Sequence, residues 1–153
     1  VKLDTNGSHP EMLKRLLQEK LIDYVAMDLK APLPVTESAD NESWAEDLTY
    51  SQAAGVEVDL DQLRESISII KASQVLYEFR VTLVSGWHKE STVAAMARSL
   101  KGARCLALQP FWTRASSFIN PQFSLPPSFT QEEIDRFIRI ARQYVSHTIC
   151  RRS

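Results

Sequence analysis

Asp28 and Lys30 stand two residues apart at the end of the apolar run Tyr24-Val25-Ala26-Met27, and an acid and a base at that spacing share one face of an extended chain. The run lies between a helix-like segment and the Ala31-Pro32 loop, and reads as a buried strand of a parallel sheet. Ligands of such sheets bind beyond the carboxyl ends of the strands, so both side chains would face a site. The competing reading is an ion pair that closes the strand. Asp4-Thr5-Asn6 follows the strand-like Val1-Lys2-Leu3, and Gln109 ends the run Arg104 to Leu108 beside Pro110, Phe111 and Trp112. Glu78, Arg80 and Thr82 alternate along Val75 to Val84 and share a face, either as an internal Glu78–Arg80 pair or as ligand contacts. Asp4, Thr5, Asn6, Asp28, Lys30, Arg80 and Gln109 together outline a pocket for a small molecule carrying a carboxylate and hydroxyls. Lys30 and Arg80 are its cations, and Asp28 and Asn6 its hydroxyl or amine partners. A lysine at a strand end is equally a candidate Schiff-base nucleophile, which would make the protein an aldolase or lyase. His88, in the turn Ser85-Gly86-Trp87-His88, is expected to be solvated, the alternative being a ligand or proton shuttle.

The elements that would position these groups alternate. Gly7 takes positive φ in a turn, Ser8 and Glu11 have capping-box spacing, and Pro10 occupies an early position of a helix with Met12, Leu13, Leu16 and Leu17 on its apolar face. Asp59 caps a helix that buries Leu63, Ile67 and Ile70. A helix over 91–100 ends near Gly102, and Thr130 with Glu133 forms a capping box that opens the last helix, stapled by Phe129 and Ile134. Arg136, Arg139 and Arg142 mark that helix's solvated face. His147 to Cys150 is a final short strand. The expectation is an α/β fold, a parallel sheet with flanking helices joined by right-handed crossovers. Residues 1–153 read as one domain, with 31–56 an irregular loop or lid, part of it docked through Trp44, Leu48, Tyr50 and Val56.

Composition removes several classes. With 18 basic and 19 acidic residues in 153, there is no basic stripe, so no nucleic-acid partner is expected. No run approaches the roughly 18 apolar residues of a spanning helix and no signal peptide opens the chain, so no membrane partner and a cytoplasmic location are expected. Cys105 and Cys150 lack CxxC spacing and are too few for an iron–sulfur site.

Leu3-Asp4-Thr5-Asn6-Gly7, Asp28-Leu29-Lys30, Phe79-Arg80-Val81-Thr82-Leu83-Val84-Ser85-Gly86-Trp87 and Leu108-Gln109-Pro110-Phe111 resemble, in order and spacing, the later strands of radical S-adenosylmethionine activating enzymes. The branch most resembled activates anaerobic ribonucleoside-triphosphate reductase, and pyruvate formate-lyase activating enzyme is related. The resemblance implies a partial (β/α) barrel, here without its N-terminal strands. It implies S-adenosylmethionine as cofactor, cleaved to a 5′-deoxyadenosyl radical, and a glycyl radical enzyme as partner. Asn6, Asp28 and Lys30 would contact the cofactor, Lys30 near its carboxylate, and Arg80 would line the cavity. The CxxxCxxC loop for the [4Fe–4S] cluster and the GGE strand belong upstream of Val1, so this chain does not ligate the cluster and is expected to be inactive alone. Relatives offer a histidine where Gln109-Pro110-Phe111-Trp112 stands. A different class is also open: a non-catalytic binding or assembly protein that keeps the half-barrel and pairs, with an N-terminal half or as a homodimer, through its sheet edge at Val1-Lys2-Leu3.

Overall fold

The structure is a computed structural model, and it describes residues 1–34, 49–111 and 128–151. Five strands, β1 Lys2–Thr5, β2 Tyr24–Asp28, β3 Leu76–Leu83, β4 Leu106–Pro110 and β5 Thr148–Cys150, form one sheet in the order β1-β2-β3-β4-β5, every pair parallel. Between them run α1 Pro10–Gln18, the short α2 Tyr50–Ala54, α3 Leu60–Ala72, α4 Glu90–Ser99 and α5 Gln131–Ala141. This is the expected α/β parallel sheet with flanking helices, and a partial barrel is compatible with it.

Because each strand lies beside its sequence neighbour and crossovers are right-handed, successive helices fall on the same side of the sheet. There α1 packs on α3 and α4 on α5. Strand register divides the side chains. Met27, Phe79 and Leu106 form one row beneath the helices, with Val81 and Leu108 in the next, and all five are essentially buried. Each such aliphatic or aromatic group contributes about 1.5–3 kcal/mol. The opposite face carries Asp4, Ala26 and Glu78 in one row, then Asp28, Arg80 and Ala107, then Thr82 and Gln109. One sheet therefore has an apolar face under the long helices and an opposite face that carries its polar side chains.

Local signals hold at most boundaries. Asp59 accepts from the amides of Asp61 and Gln62, and the Thr130–Glu133 capping box forms, with Phe129 edge-on to Phe137 at 5.3 Å. Gly102 takes φ +81°, three residues past Ser99. Four expectations are corrected. The residue that caps α1 is His9, without a side-chain cap, because the Ser8 hydroxyl donates instead to Asn6 Oδ1 at 2.7 Å. Met12 is exposed, since α1 turns Leu13, Leu16 and Leu17 toward the core instead. Arg136 is not simply solvated; it pairs with Glu90 and Glu132 where α5 meets α4. In 31–56, Tyr50 to Ala54 is helical and Tyr50 is buried while Val56 is exposed; Trp44 and Leu48 lie outside the described residues, as does most of 113–129.

Gly7 is where β1 turns toward α1. It has φ +78°, and its carbonyl accepts from the buried Ser66 hydroxyl of α3 at 2.7 Å. A Cβ there would collide with the Met27 thioether and press on Leu63 Cδ2 at 3.3 Å. Gly7→Ala is expected to destabilise by roughly 2–4 kcal/mol, combining left-handed backbone strain with overpacking. In chemical denaturation, adding Met27→Ala should cancel the steric part of that loss and leave the backbone part. Strict additivity of the two changes would refute the collision.

Candidate functional site

The polar groups converge at the carboxyl ends of β1 to β4, and the connection between them is Arg80. Its Nε donates to Asp28 Oδ1 at 2.7 Å and its Nη1 to Asp4 Oδ1 at 2.5 Å, tying β3 to β2 and β1. Lys2 adds a cation 3.3 Å from the same Asp4 oxygen. Desolvation lowers the affinity of Arg80 for its proton, but hydrogen bonds and charge from Asp28 and Asp4 outweigh this and raise its pKa. Partial desolvation acts upward on Asp4, yet contacts with Lys2 and Arg80 prevail and hold its carboxyl below the usual carboxylate range. The result is a cation fixed between two carboxylates on the polar face.

The competing reading, an ion pair between Asp28 and Lys30, does not form, because Asp28 sits in register with Arg80 whereas Lys30 lies past the strand end. The internal Glu78–Arg80 pair fails for a related reason. Residues two apart on one strand share a face, but their closest neighbours lie on adjoining strands, and Glu78 is taken by Arg151 at 2.6 Å. Thr5 is on the helix side, in register with Met27, and its hydroxyl accepts from the Gly7 amide at 3.1 Å. Asn6 holds the turn through Ser8 and borders a cavity of about 390 Å³ with Lys30, Tyr50 and Asp59. Gln109 lies opposite Thr82, half-buried on the polar face.

Asp28 and Lys30 do border one cavity, of about 250 Å³, together with Thr82, Trp87, His88 and Phe111. Tyr50 supports its rim. Its hydroxyl accepts from the Lys30 amide at 3.2 Å, and burial, with the Asp28 charge adding to it against that amide, pushes its pKa up to about 12. Tyr50 therefore stays a neutral phenol.

His88 is the largest departure from expectation, being only 4% exposed. The chain turns back at Gly86 (φ +84°), and the ring folds over the end of β3, where Nδ1 accepts from the Val84 amide at 3.0 Å. Burial lowers its pKa below the ordinary 6.5, with the Val84 and Lys30 backbones pulling the other way. The only sequence signal was the tight Ser85-Gly86 turn, which does not report what the ring packs against. The sign follows directly. The unfolded chain binds a proton near pH 6.5 and the folded chain resists it, so this contribution is intact above about pH 6.5 and is lost as pH falls below it. Denaturation at pH 7.5 and pH 5 should show wild type losing more stability than His88→Phe, and equal losses would refute it.

Among the described residues, no group of three or more His, Cys, Asp or Glu side chains could hold a metal ion, and no helix is long and apolar enough to cross a membrane. No protein-family model matches the sequence. Over 151 residues, 99% of the chain, it is 27% identical to a Methanocaldococcus jannaschii protein named "Putative glycyl-radical enzyme activating enzyme". The chain resembles a glycyl-radical activating protein. It spans 58% of that relative's length. The similarity runs through nearly the whole of this chain, so it includes the strand ends at which Asp4, Asp28 and Arg80 meet.

Proposed function

We propose that this chain is the later part of a radical S-adenosylmethionine activating enzyme that installs a glycyl radical on a partner enzyme, of the branch serving anaerobic ribonucleoside-triphosphate reductase. The observation that carries the proposal is the Asp4–Arg80–Asp28 bridge beside Lys30, at the carboxyl ends of sequential parallel strands. Its order along the chain is the order of the motifs that resemble the family, and the relative's name points to the same chemistry.

The donor set suits the nucleoside and amino-acid parts of S-adenosylmethionine. Lys30 offers an ammonium to the carboxylate, and Asp28, 45% exposed at its side chain while Arg80 holds one oxygen, offers the other oxygen to a hydroxyl. Arg80 keeps Asp28 aimed, and Gln109 and Thr82 supply further polar edges. Asn6 and Thr5 shape the turn that frames the pocket. Two cysteines do not fit a [4Fe–4S] cluster, so the thiolates it needs are not drawn from the described residues. S-adenosylmethionine, when bound beside a reduced cluster, supplies the hydrogen-abstracting group; the residues here bind and orient it.

Reading the coding DNA upstream of Val1 tests the proposal. An in-frame CxxxCxxC is expected, and the product carrying it should consume S-adenosylmethionine under anaerobic reduction, much more slowly as Lys30→Ala. A start codon at this point with no neighbouring cysteine motif would overturn the catalytic reading.

One observation favours a second reading, an assembly role. Among the described residues β1 is paired on one side only, by β2. Such an edge recruits another strand. Light scattering should then report a dimer, and a monodisperse monomer at high concentration would remove it.

A further inference from the structure

On the helix side of the sheet, the chain that leaves β2 is tied to both α3 and α4. The Leu33 amide donates to Ser99 Oγ at 3.4 Å, the Ser99 hydroxyl donates back to the Leu33 carbonyl at 3.2 Å, and Arg64 Nη2 donates to the Pro34 carbonyl at 2.6 Å. A groove of about 350 Å³ remains between the two helices. Three half-buried cations line it, Arg64 and Lys71 from α3 and Arg98 from α4, and no acidic side chain among the described residues does. Each cation is held in place. Arg64 pairs through Nη1 with Asp61, a carboxylate that is itself 89% exposed, and Arg98 lies over the Tyr144 ring at 5.7 Å. Lys71 Nζ donates to the Lys101 carbonyl at 2.6 Å, a neutral partner that leaves the rest of the ammonium's hydrogens to the groove. The Ser68 and Ser99 hydroxyls spend their hydrogens on backbone carbonyls and do not compete for an acceptor. Cations are common in the last turn of a helix, which accounts for Lys71 and Arg98 as residue types. It does not account for Arg64 in the first half of α3, nor for Lys71 reaching past its own helix to the exit of α4.

We propose that this groove binds the phosphate group of a small organic phosphate, on the side of the sheet away from the Asp4–Arg80–Asp28 bridge and independently of it. Gathering like charges half out of water is unfavourable, and an anion among them removes that cost. A phosphate monoester carries about −1.5 to −2 at neutral pH, which suits three cations better than the single charge of a carboxylate. Arginine meets phosphate oxygens two at a time, and lysine adds a point charge. The groove is also larger than a lone phosphate needs. Buried Leu33 and Ile67, with Pro34, give it an apolar wall against which the body that carries the phosphate would lie.

Calorimetry at low salt with inorganic phosphate, phenyl phosphate and benzoate is the test, on the wild-type chain and on Lys71→Met, Ser68→Glu and Lys101→Met. Phenyl phosphate should bind wild type more tightly than inorganic phosphate, and benzoate, with the same ring and one charge, at least about tenfold more weakly. Lys71→Met should weaken phenyl phosphate by about tenfold, the scale of one charge-assisted hydrogen bond. Ser68 is exposed on the groove wall, four residues after Arg64 and three before Lys71. Ser68→Glu should therefore abolish binding by supplying a carboxylate to both cations, with a urea midpoint at or above that of wild type. That variant keeps the test decisive if Lys71→Met fails to fold. The Lys101 side chain is exposed and outside the groove, so Lys101→Met removes the same charge nearby and should change affinity by less than about twofold, because an exposed charge is screened. Equal losses in Lys71→Met and Lys101→Met would reduce the effect to diffuse attraction and overturn the site. So would retained binding in a folded Ser68→Glu, or no binding of either phosphate to wild type. Benzoate binding as tightly as phenyl phosphate would overturn the assignment to phosphate, and inorganic phosphate doing so would overturn the apolar wall. S-adenosylmethionine should not compete with phenyl phosphate; competition would place the phosphate at the strand ends and overturn the groove.

Discussion

Arg151→Met is expected to lower stability by about 2–3 kcal/mol, well above the usual effect of changing a half-exposed arginine. Glu78 is 1% exposed in the middle of the sheet's polar face, and Arg151 pairs with it, Nη1 donating to Oε1 at 2.9 Å and Nη2 lying 2.6 Å from Oε2 as an ion pair. The arginine itself is 43% exposed at its side chain, so in the variant it is the carboxylate that loses its partner in a place water reaches poorly. Breaking a fully buried pair costs about 3–5 kcal/mol; the exposure of Arg151 and the nearby Tyr24 hydroxyl, whose own pKa burial and Glu78 raise together, reduce that figure. Adding Glu78→Gln should recover part of the loss, since a neutral amide is cheaper to bury than an unpaired carboxylate. Urea denaturation of the two single variants and the double variant gives the coupling. If Arg151→Met stays within about 0.5 kcal/mol of wild type, the clamp has no energetic meaning.

Arg80→Met should behave in the opposite way, with a small effect on stability and a large one on ligand. Both of its partners are half-exposed, Asp28 at 45% and Asp4 at 53% of their side chains. Water can therefore take over much of their solvation, and exposed ion pairs contribute only about 0–1 kcal/mol. The ligand has no such substitute. Without the guanidinium, Asp28 is no longer aimed across the polar face, and two carboxylates face each other where S-adenosylmethionine is proposed to lie. Affinity for S-adenosylmethionine should fall by at least about tenfold, the scale of one charge-assisted hydrogen bond. Arg80→Lys should not rescue it, because an ammonium cannot span both acids with the fixed geometry of the fork. Full affinity in Arg80→Met would detach the bridge from binding and leave it a purely structural tie between strands.

Much of the fold follows from short-range chemistry, and so could be read along the chain. The apolar run 24–27 and the alternation in 76–83 show in the pattern of neighbouring side chains, and the Thr130–Glu133 box satisfies its backbone within three residues. Gly7 could be assigned its positive φ because only glycine takes that conformation without strain. Parallel strands separated by helices then leave few topologies, and the sheet that forms is the simplest of them. The polar strand ends were visible as well, because a charged residue closing an apolar strand marks the end of the buried segment.

What the sequence by itself determined is thus which residues lie on which element and, along a strand, on which face. Their partners were decided only by the tertiary structure. Arg80 meets Asp28 across 52 residues and Asp4 across 76, and Glu78 meets Arg151 across 73. Period-two spacing groups Glu78 with Arg80 but is silent about register, which is set when the apolar rows of Met27, Phe79 and Leu106 align beneath the helices. His88 shows the same division. Its place after a glycine turn is a local property, whereas its burial depends on how the chain folds back over the end of β3, and that is settled by packing over distances no local signal spans.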